Sequence, residues 1–164
     1  MTITNATPTD ATALVELHRA LADQHPFVST DLIDEDKRSC WMTYYIETQN
    51  DWQQIYLAKQ AERLIGNLWI MRERTSSGLH IAHLGLAVLH MHCRQGVGTR
   101  LLSQAEKWAK SQNCRKLSLN VVADNLPAVL FFLKHNYRFE ALKKESYCDA
   151  NAVYDEYVMS KFLT

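Results

Sequence analysis

Several features are scarce in this chain of 164 residues, and each scarcity removes a class of protein. No apolar run approaches the roughly 20 residues that a membrane-spanning helix needs, so no membrane association is expected. The opening Met1-Thr2-Ile3-Thr4-Asn5 lacks the basic and apolar regions of a secretory signal. The formal net charge of +0 leaves no electrostatic footprint for nucleic acid. The four cysteines, Cys40, Cys93, Cys114 and Cys148, are widely separated and form no CxxC pair. That spacing disfavours a zinc site or a disulfide scaffold and fits the reducing cytoplasm. The histidines are scattered except around one central segment, so no metal site is expected. Against these absences stand an apolar fraction of 47% and regular apolar spacing, which argue for a packed core rather than disorder. The length and the lack of linkers, repeats or low-complexity segments predict one domain over residues 1–164.

Periodicity predicts a βααβββαβαββ order and a mixed-sheet α/β domain. Ile3–Ala6 reads as a short strand. Thr7-Pro8-Thr9-Asp10 supplies an N-cap, an early proline and an acidic first turn for a helix through Leu14, Leu17 and Leu21. Pro26 separates it from a second helical region over residues 31–49, which carries Trp41, Tyr44 and Tyr45. Strands follow at 55–58 and 64–71, with a turn at 59–62, and a third at about 79–89. A helix runs to about Gln112, then a strand at 117–122 and a helix that Asn125 caps. Asn136 suits a left-handed helix end, and two last strands are expected near 139–147 and 153–161.

The most informative stretch is Cys93-Arg94-Gln95-Gly96-Val97-Gly98-Thr99, between the third strand and its helix. A strand that turns through glycines into a helix start leaves several backbone N–H groups unpaired and aimed together, which suits a phosphate. The motif is not a dinucleotide fingerprint, because Leu101 stands where GxGxxG needs its third glycine. Nor is it a Walker A loop, because Gly98-Thr99-Arg100 lacks the lysine.

Two spaced motifs carry a family resemblance. Cys93-Arg94-Gln95-Gly96-Val97-Gly98 is similar to the Arg/Gln-x-x-Gly-x-Gly/Ala motif of the GNAT superfamily of acyl-CoA-dependent N-acyltransferases. Asn125, Ala128, Phe131, Phe132, Lys134, Asn136 and Tyr137 are similar to its second motif, Asn-x-x-Ala-x-x-Leu/Phe-Tyr-x-Lys-x-Gly-Phe. The last strand, with Val153 to Met159, and the βαα start also resemble that family. The resemblance implies a mostly antiparallel mixed sheet with helices on both faces and two central strands that splay after a β-bulge. It implies acetyl-CoA as cosubstrate, and direct transfer of acetyl to a primary amine. The pantetheine arm would lie along Leu86, Ala87 and Val88, where one backbone N–H would hold the oxyanion. The pyrophosphate would sit on the backbone at Cys93, Arg94, Gln95, Gly96, Val97, Gly98 and Thr99. Asn125 would bind the pantetheine amides, or serve only as a helix cap. The approach His80-Ile81-Ala82-His83-Leu84-Gly85-Leu86 resembles the branch that acetylates free amino acids and other small amines.

The two motifs show three departures from the pattern. Cys93 replaces the usual Arg or Gln, and Asn136-Tyr137 replaces Gly-Phe. Phe132 replaces a tyrosine that often protonates the leaving thiolate, so its ring can pack against the cofactor but cannot donate a proton. Ala82 also stands where many relatives place a glutamate base. Unless a bulge at Gly85 changes the phase, period-2 geometry sets His80 and Leu84 on the face of Ala82, which makes His80 the first candidate base, with His83 on the other face the second. Tyr154, Asp155 and Glu156 are candidates to line the acceptor pocket, and Trp41, Tyr44 and Tyr45 read as core or homodimer packing. The expected function is acetylation of a small amine or amino acid. The alternatives are acetylation of a protein or peptide N-terminus, and a non-catalytic acyl-CoA sensor.

Overall fold

The computed structural model describes residues 1–24, 27, 35–149 and 152–163. The described residues form seven strands and four α-helices in the expected order. These are β1 (Thr2–Asn5), α1 (Ala11–Gln24), α2 (Glu35–Glu47), β2 (Gln53–Gln60), β3 (Arg63–Arg72) and β4 (Ile81–Val88). After them come α3 (Val97–Ser111), β5 (Lys116–Val122), α4 (Leu126–Lys134), β6 (Arg138–Cys148) and β7 (Val153–Phe162). Pro26 and residues 31–34 of the expected second helix lie outside the described residues, as does the side chain of Trp41.

The strands make one sheet in the order β1-β2-β3-β4-β5-β7-β6, antiparallel everywhere except between β4 and β5. This α+β architecture is the mostly antiparallel mixed sheet that the family resemblance implies. Local chemistry explains the turns. Thr7 N donates to Asp10 Oδ2 at 2.9 Å and Asp10 N to Thr7 O at 2.8 Å, closing a short 3-10 turn ahead of α1. Ala61 and Glu62 both take left-handed φ (46° and 65°), as a two-residue hairpin between β2 and β3 requires.

Helices cover both sheet faces. α3 buries Val97, Leu101, Leu102, Ala105, Trp108 and Ala109, the stripe its sequence spacing predicts. That stripe meets Leu68, Ile70, Ala82, Leu84 and Leu117 in a core that also holds Phe132 and Tyr137. On the opposite face α1 packs Leu14, Leu17 and Leu21 with Ile46, Ile55 and Leu57. Tyr45 packs at the edge of this second core, but Tyr44 is 61% exposed and takes no part in it.

Candidate active site

The central strands part company as expected, but without the expected bulge. β4 pairs with β5 only at Ile81–Lys116, Ala82–Leu117 and His83–Ser118. Beyond that point Leu84 to Val88 have no partner on the β5 side, while β5 runs on to Val122 paired with β7 along its other edge. On the other side β4 follows β3 from Ala82 to Val88 with no register shift. Gly85 therefore makes no bulge. It lets the Trp69 indole lie directly against the strand, since a Cβ there would collide with Nε1 and Cε2.

The glycine turn follows this open strand end. Cys93 points its thiol back at the carbonyls of Val88 (3.7 Å) and Leu89 (3.6 Å). Burial pushes that thiol's pKa up, against the pull of Arg94, so Cys93 is a protonated tether for the turn and not a nucleophile. Gln95 Nε2 ties the other side to Met91 O at 2.8 Å. Arg94 (φ 59°) and Gly96 (φ 81°) turn the backbone left-handed, and Gly96 caps α3 with no side-chain bond. Among the described residues, no amide from Arg94 to Thr99 finds an acceptor, and the first closed bond is Arg100 N to Gly96 O at 3.0 Å. These amides sit at the positive end of α3 and can hold an anion. A Cβ on Gly96 would meet nothing within 4 Å, whereas one on Gly98 would lie 3.2 Å from Phe131 Cζ and 3.5 Å from Leu86 Cδ2. Gly98 thus brings the start of α3 close to both α4 and β4.

The second motif divides between structure and site. Asn125 Oδ1 accepts from Ala128 N at 3.3 Å, so Asn125 is the helix cap, and its side-chain NH2 and the second lone pair of Oδ1 are left for a ligand. Asn136 takes the left-handed conformation (φ 67°) and Tyr137 is fully buried, so the Gly-Phe replacement keeps a turn and a plug. Phe132 is 6% exposed and packs edge-on against Phe131 and Tyr137, which leaves little of its ring for a cofactor.

The two candidate bases separate. His80 lies one residue before β4, exposed, and its backbone oxygen accepts from Arg115 N and Lys116 N. That is the closed end of the β4–β5 pair, and the Ala82 face there is filled by the α3 core. His83 sits at the last paired position, and its Nε2 lies 3.4 Å from Glu73 Oε2. By register His83, Gly85 and Ala87 share the opposite face with Trp69 and Asn67 of β3. Glu73, Trp69 and Asn67 were not read as site residues from the sequence. Nothing in an apolar strand pattern marks Asn67, yet it is 4% exposed and its Oδ1 has no hydrogen-bond partner.

On the last strands, Asp155 accepts from Lys144 Nζ (2.7 Å) and Glu145 N (3.0 Å), and Glu156 from Ser146 Oγ (2.8 Å). Both acids hold the β6–β7 hairpin, and the Lys144 bond keeps the Asp155 carboxyl below its ordinary pKa. Tyr154 instead meets Phe27 edge-on at 5.4 Å, joining β7 to the connection after α1, and donates to Asp149 Oδ2 at 3.3 Å.

Known proteins match this arrangement. Residues 15–137 fit the model of the acetyltransferase (GNAT) family. YdhI of Bacillus subtilis (strain 168) is 40% identical over 48 residues, which span 29% of this chain and 30% of YdhI. The crystal structure of a GNAT-family acetyltransferase from Streptococcus pneumoniae superposes with a TM-score of 0.85 at 24% identity, covering 99% of each chain. YncA of Salmonella typhimurium, solved with its cofactor acetyl-CoA, superposes with a TM-score of 0.83 at 16% identity, covering 100% of this chain and 94% of YncA.

Proposed function

The chain belongs to the acetyltransferase (GNAT) family, and from that premise we propose that it moves acetyl from acetyl-CoA directly to the primary amine of a small molecule. The observation that carries this reading is the edge of β4 from Leu84 to Val88 that has no strand partner on the β5 side, followed by the unaccepted amides of Arg94 to Thr99. The amides hold the pyrophosphate. The free edge of β4 at Leu86, Ala87 and Val88 takes the pantetheine arm as a neighbouring strand would. The Asn125 side-chain nitrogen donates to a pantetheine carbonyl. The thioester then lies near the fork at His83 and Ser118, where a β4 amide polarises its carbonyl and holds the oxyanion.

His83 takes the proton from the incoming ammonium, directly or through one water, and Glu73, whose Oε2 lies 3.4 Å from Nε2, orients the imidazole. His80 is the weaker candidate, because it lies beyond the closed end of the fork. Phe132 supplies no proton, so the departing thiolate takes one from water. The Phe27–Tyr154 contact favours a small acceptor, since it closes the connection after α1 onto β7, where a bound peptide would need an open groove. Free amino acids and simple amines are the acceptor class we favour. The chain acts as one acetyltransferase domain over residues 1–164, and its four free thiols suit a cytoplasmic setting.

The test is thiol release from acetyl-CoA across a panel of amino acids, polyamines and peptide N-termini. A small amine should give the highest kcat/KM, and His83→Gln should lower kcat by about 10²-fold or more with little change in the KM for acetyl-CoA. Turnover confined to peptides would replace the small-amine reading. Tight acetyl-CoA binding without turnover of any amine would favour a sensor.

A further inference from the structure

We propose that Thr99 and His135 form a side-chain part of the phosphate subsite at the α3 turn, in which a protonated His135 turns the Thr99 hydroxyl into a donor to the phosphate. This rests on the acyl-CoA reading of that turn. Thr99 is the third residue of α3 and the last of the run with unaccepted amides. Its Oγ1 lies 3.1 Å from Nε2 of His135, the residue that ends α4. The imidazole is held in place. Its ring is tilted against that of Phe131 at 4.6 Å, and Phe131 in turn fills the space that Gly98 leaves open.

The direction of the Thr99–His135 bond decides what the turn offers an anion. If Nε2 carries no proton, the hydroxyl spends its single proton on it and presents lone pairs outward. If Nε2 carries a proton, it donates to Oγ1 and the hydroxyl proton is free to reach a phosphate oxygen; the imidazolium, with protons on both ring nitrogens, fixes the bond in that direction. The imidazolium also adds a positive charge beside the α3 amides, which a neutral tautomer cannot do.

The surroundings keep this switch open until an anion arrives. Burial works against protonation, and so do Lys161 of β7 and Lys134 of α4, while Glu106 of α3 favours it. The balance holds His135 below the ordinary histidine pKa. A pyrophosphate at the turn supplies the missing negative charge. Binding then takes up a proton, so affinity rises as pH falls toward the histidine range.

Dephospho-CoA is the probe, because its pyrophosphate stays ionised throughout that range. Calorimetric titration of the wild-type protein from about pH 8 to about pH 5.5 should show the Kd fall by roughly tenfold, the equivalent of one pKa unit. Proton uptake should appear as an enthalpy that depends on the buffer. His135→Gln and Thr99→Val should each flatten the slope. A slope that survives in His135→Gln would assign the effect to His90 or His92 on the incoming side of the turn and overturn the proposal. Imidazole NMR of the wild-type protein is the second measurement. The His135 titration midpoint should move up when dephospho-CoA binds, and an unmoved midpoint overturns the proposal. If neither dephospho-CoA nor CoA binds at any pH, the acyl-CoA reading of the turn itself fails. Binding with no pH slope defeats the His135 proposal alone.

Discussion

Gly96 and Gly98 stand two residues apart and are glycines for different reasons. Gly96 is needed for its left-handed backbone, with open space around it, while at Gly98 a Cβ would lie tight against Phe131, 3.2 Å from Cζ. Gly96→Ala should therefore cost about 1 kcal/mol through backbone strain alone. Gly98→Val should cost roughly 1–3 kcal/mol by overpacking against Phe131 and should also weaken acetyl-CoA binding. Urea unfolding of the two variants checks this, and equal losses would contradict the division. The sequence marks both glycines as a helix start but cannot separate them, because Phe131 reaches Gly98 only through the tertiary fold. Asn67 is a harder case. One amide inside an apolar strand carries no local signal, and only the fold reveals that its oxygen is buried without a partner. Replacing it by leucine should raise stability by about 1 kcal/mol in thermal or urea unfolding, because the desolvation cost of an unpaired carbonyl disappears. A loss of stability would mean that the amide is better satisfied than its geometry indicates.

Among the elements, the order of strands and helices is legible from local patterns, and the boundaries agree to within a few residues wherever the chain is described. The fork between β4 and β5 is not local. It depends on β4 and β5 diverging after His83, and only the family resemblance anticipates it. The expected bulge fails because Gly85 has another use, admitting Trp69. The fork in turn demotes His80, whose place on the Ala82 face assumed that the strand already ran through residue 80. The turn into α1 gives a test at this scale. Asp10 closes its own capping turn and pairs with Lys59 of β2 at 2.7 Å, so it links β1, α1 and β2. Burial by itself would raise the Asp10 pKa, but the bonds from Lys59 and Thr7 outweigh it and hold the carboxyl below its ordinary value. A lowered folded pKa means that this contribution is complete above the unfolded value of about 3.9 and fades as pH falls through the folded one. Asp10→Ala should cost roughly 1–2 kcal/mol near neutral pH, and the gap to wild type should narrow in acid. Urea midpoints measured at neutral pH and near pH 3 check both the size and the sign, and a gap that widens in acid would refute the assignment.

Across the whole molecule, the two cores lie on opposite faces of the sheet, and the candidate site occupies the seam where the sheet opens. The backbone of the β2–β3 hairpin is paired without a ligand. The β5-facing edge of β4 beyond His83 and the amides of Arg94 to Thr99 are not, apart from the Val88 carbonyl that the Cys93 thiol meets. Cofactor binding should therefore stabilise the molecule unevenly. At a concentration about 100 times Kd, acetyl-CoA adds about 2.7 kcal/mol to unfolding, equivalent to a rise in Tm of roughly 5–10 °C for a chain of this size. Hydrogen exchange gives the sharper observable. Protection should rise most at residues 84–88 and 94–99, where open groups become bonded, and less along β2 and α1, whose amides are already closed. A uniform rise would mean that the ligand only shifts global unfolding. Protection concentrated on α1 and β2 would place acetyl-CoA on the other face of the sheet and remove the α3 turn from the site.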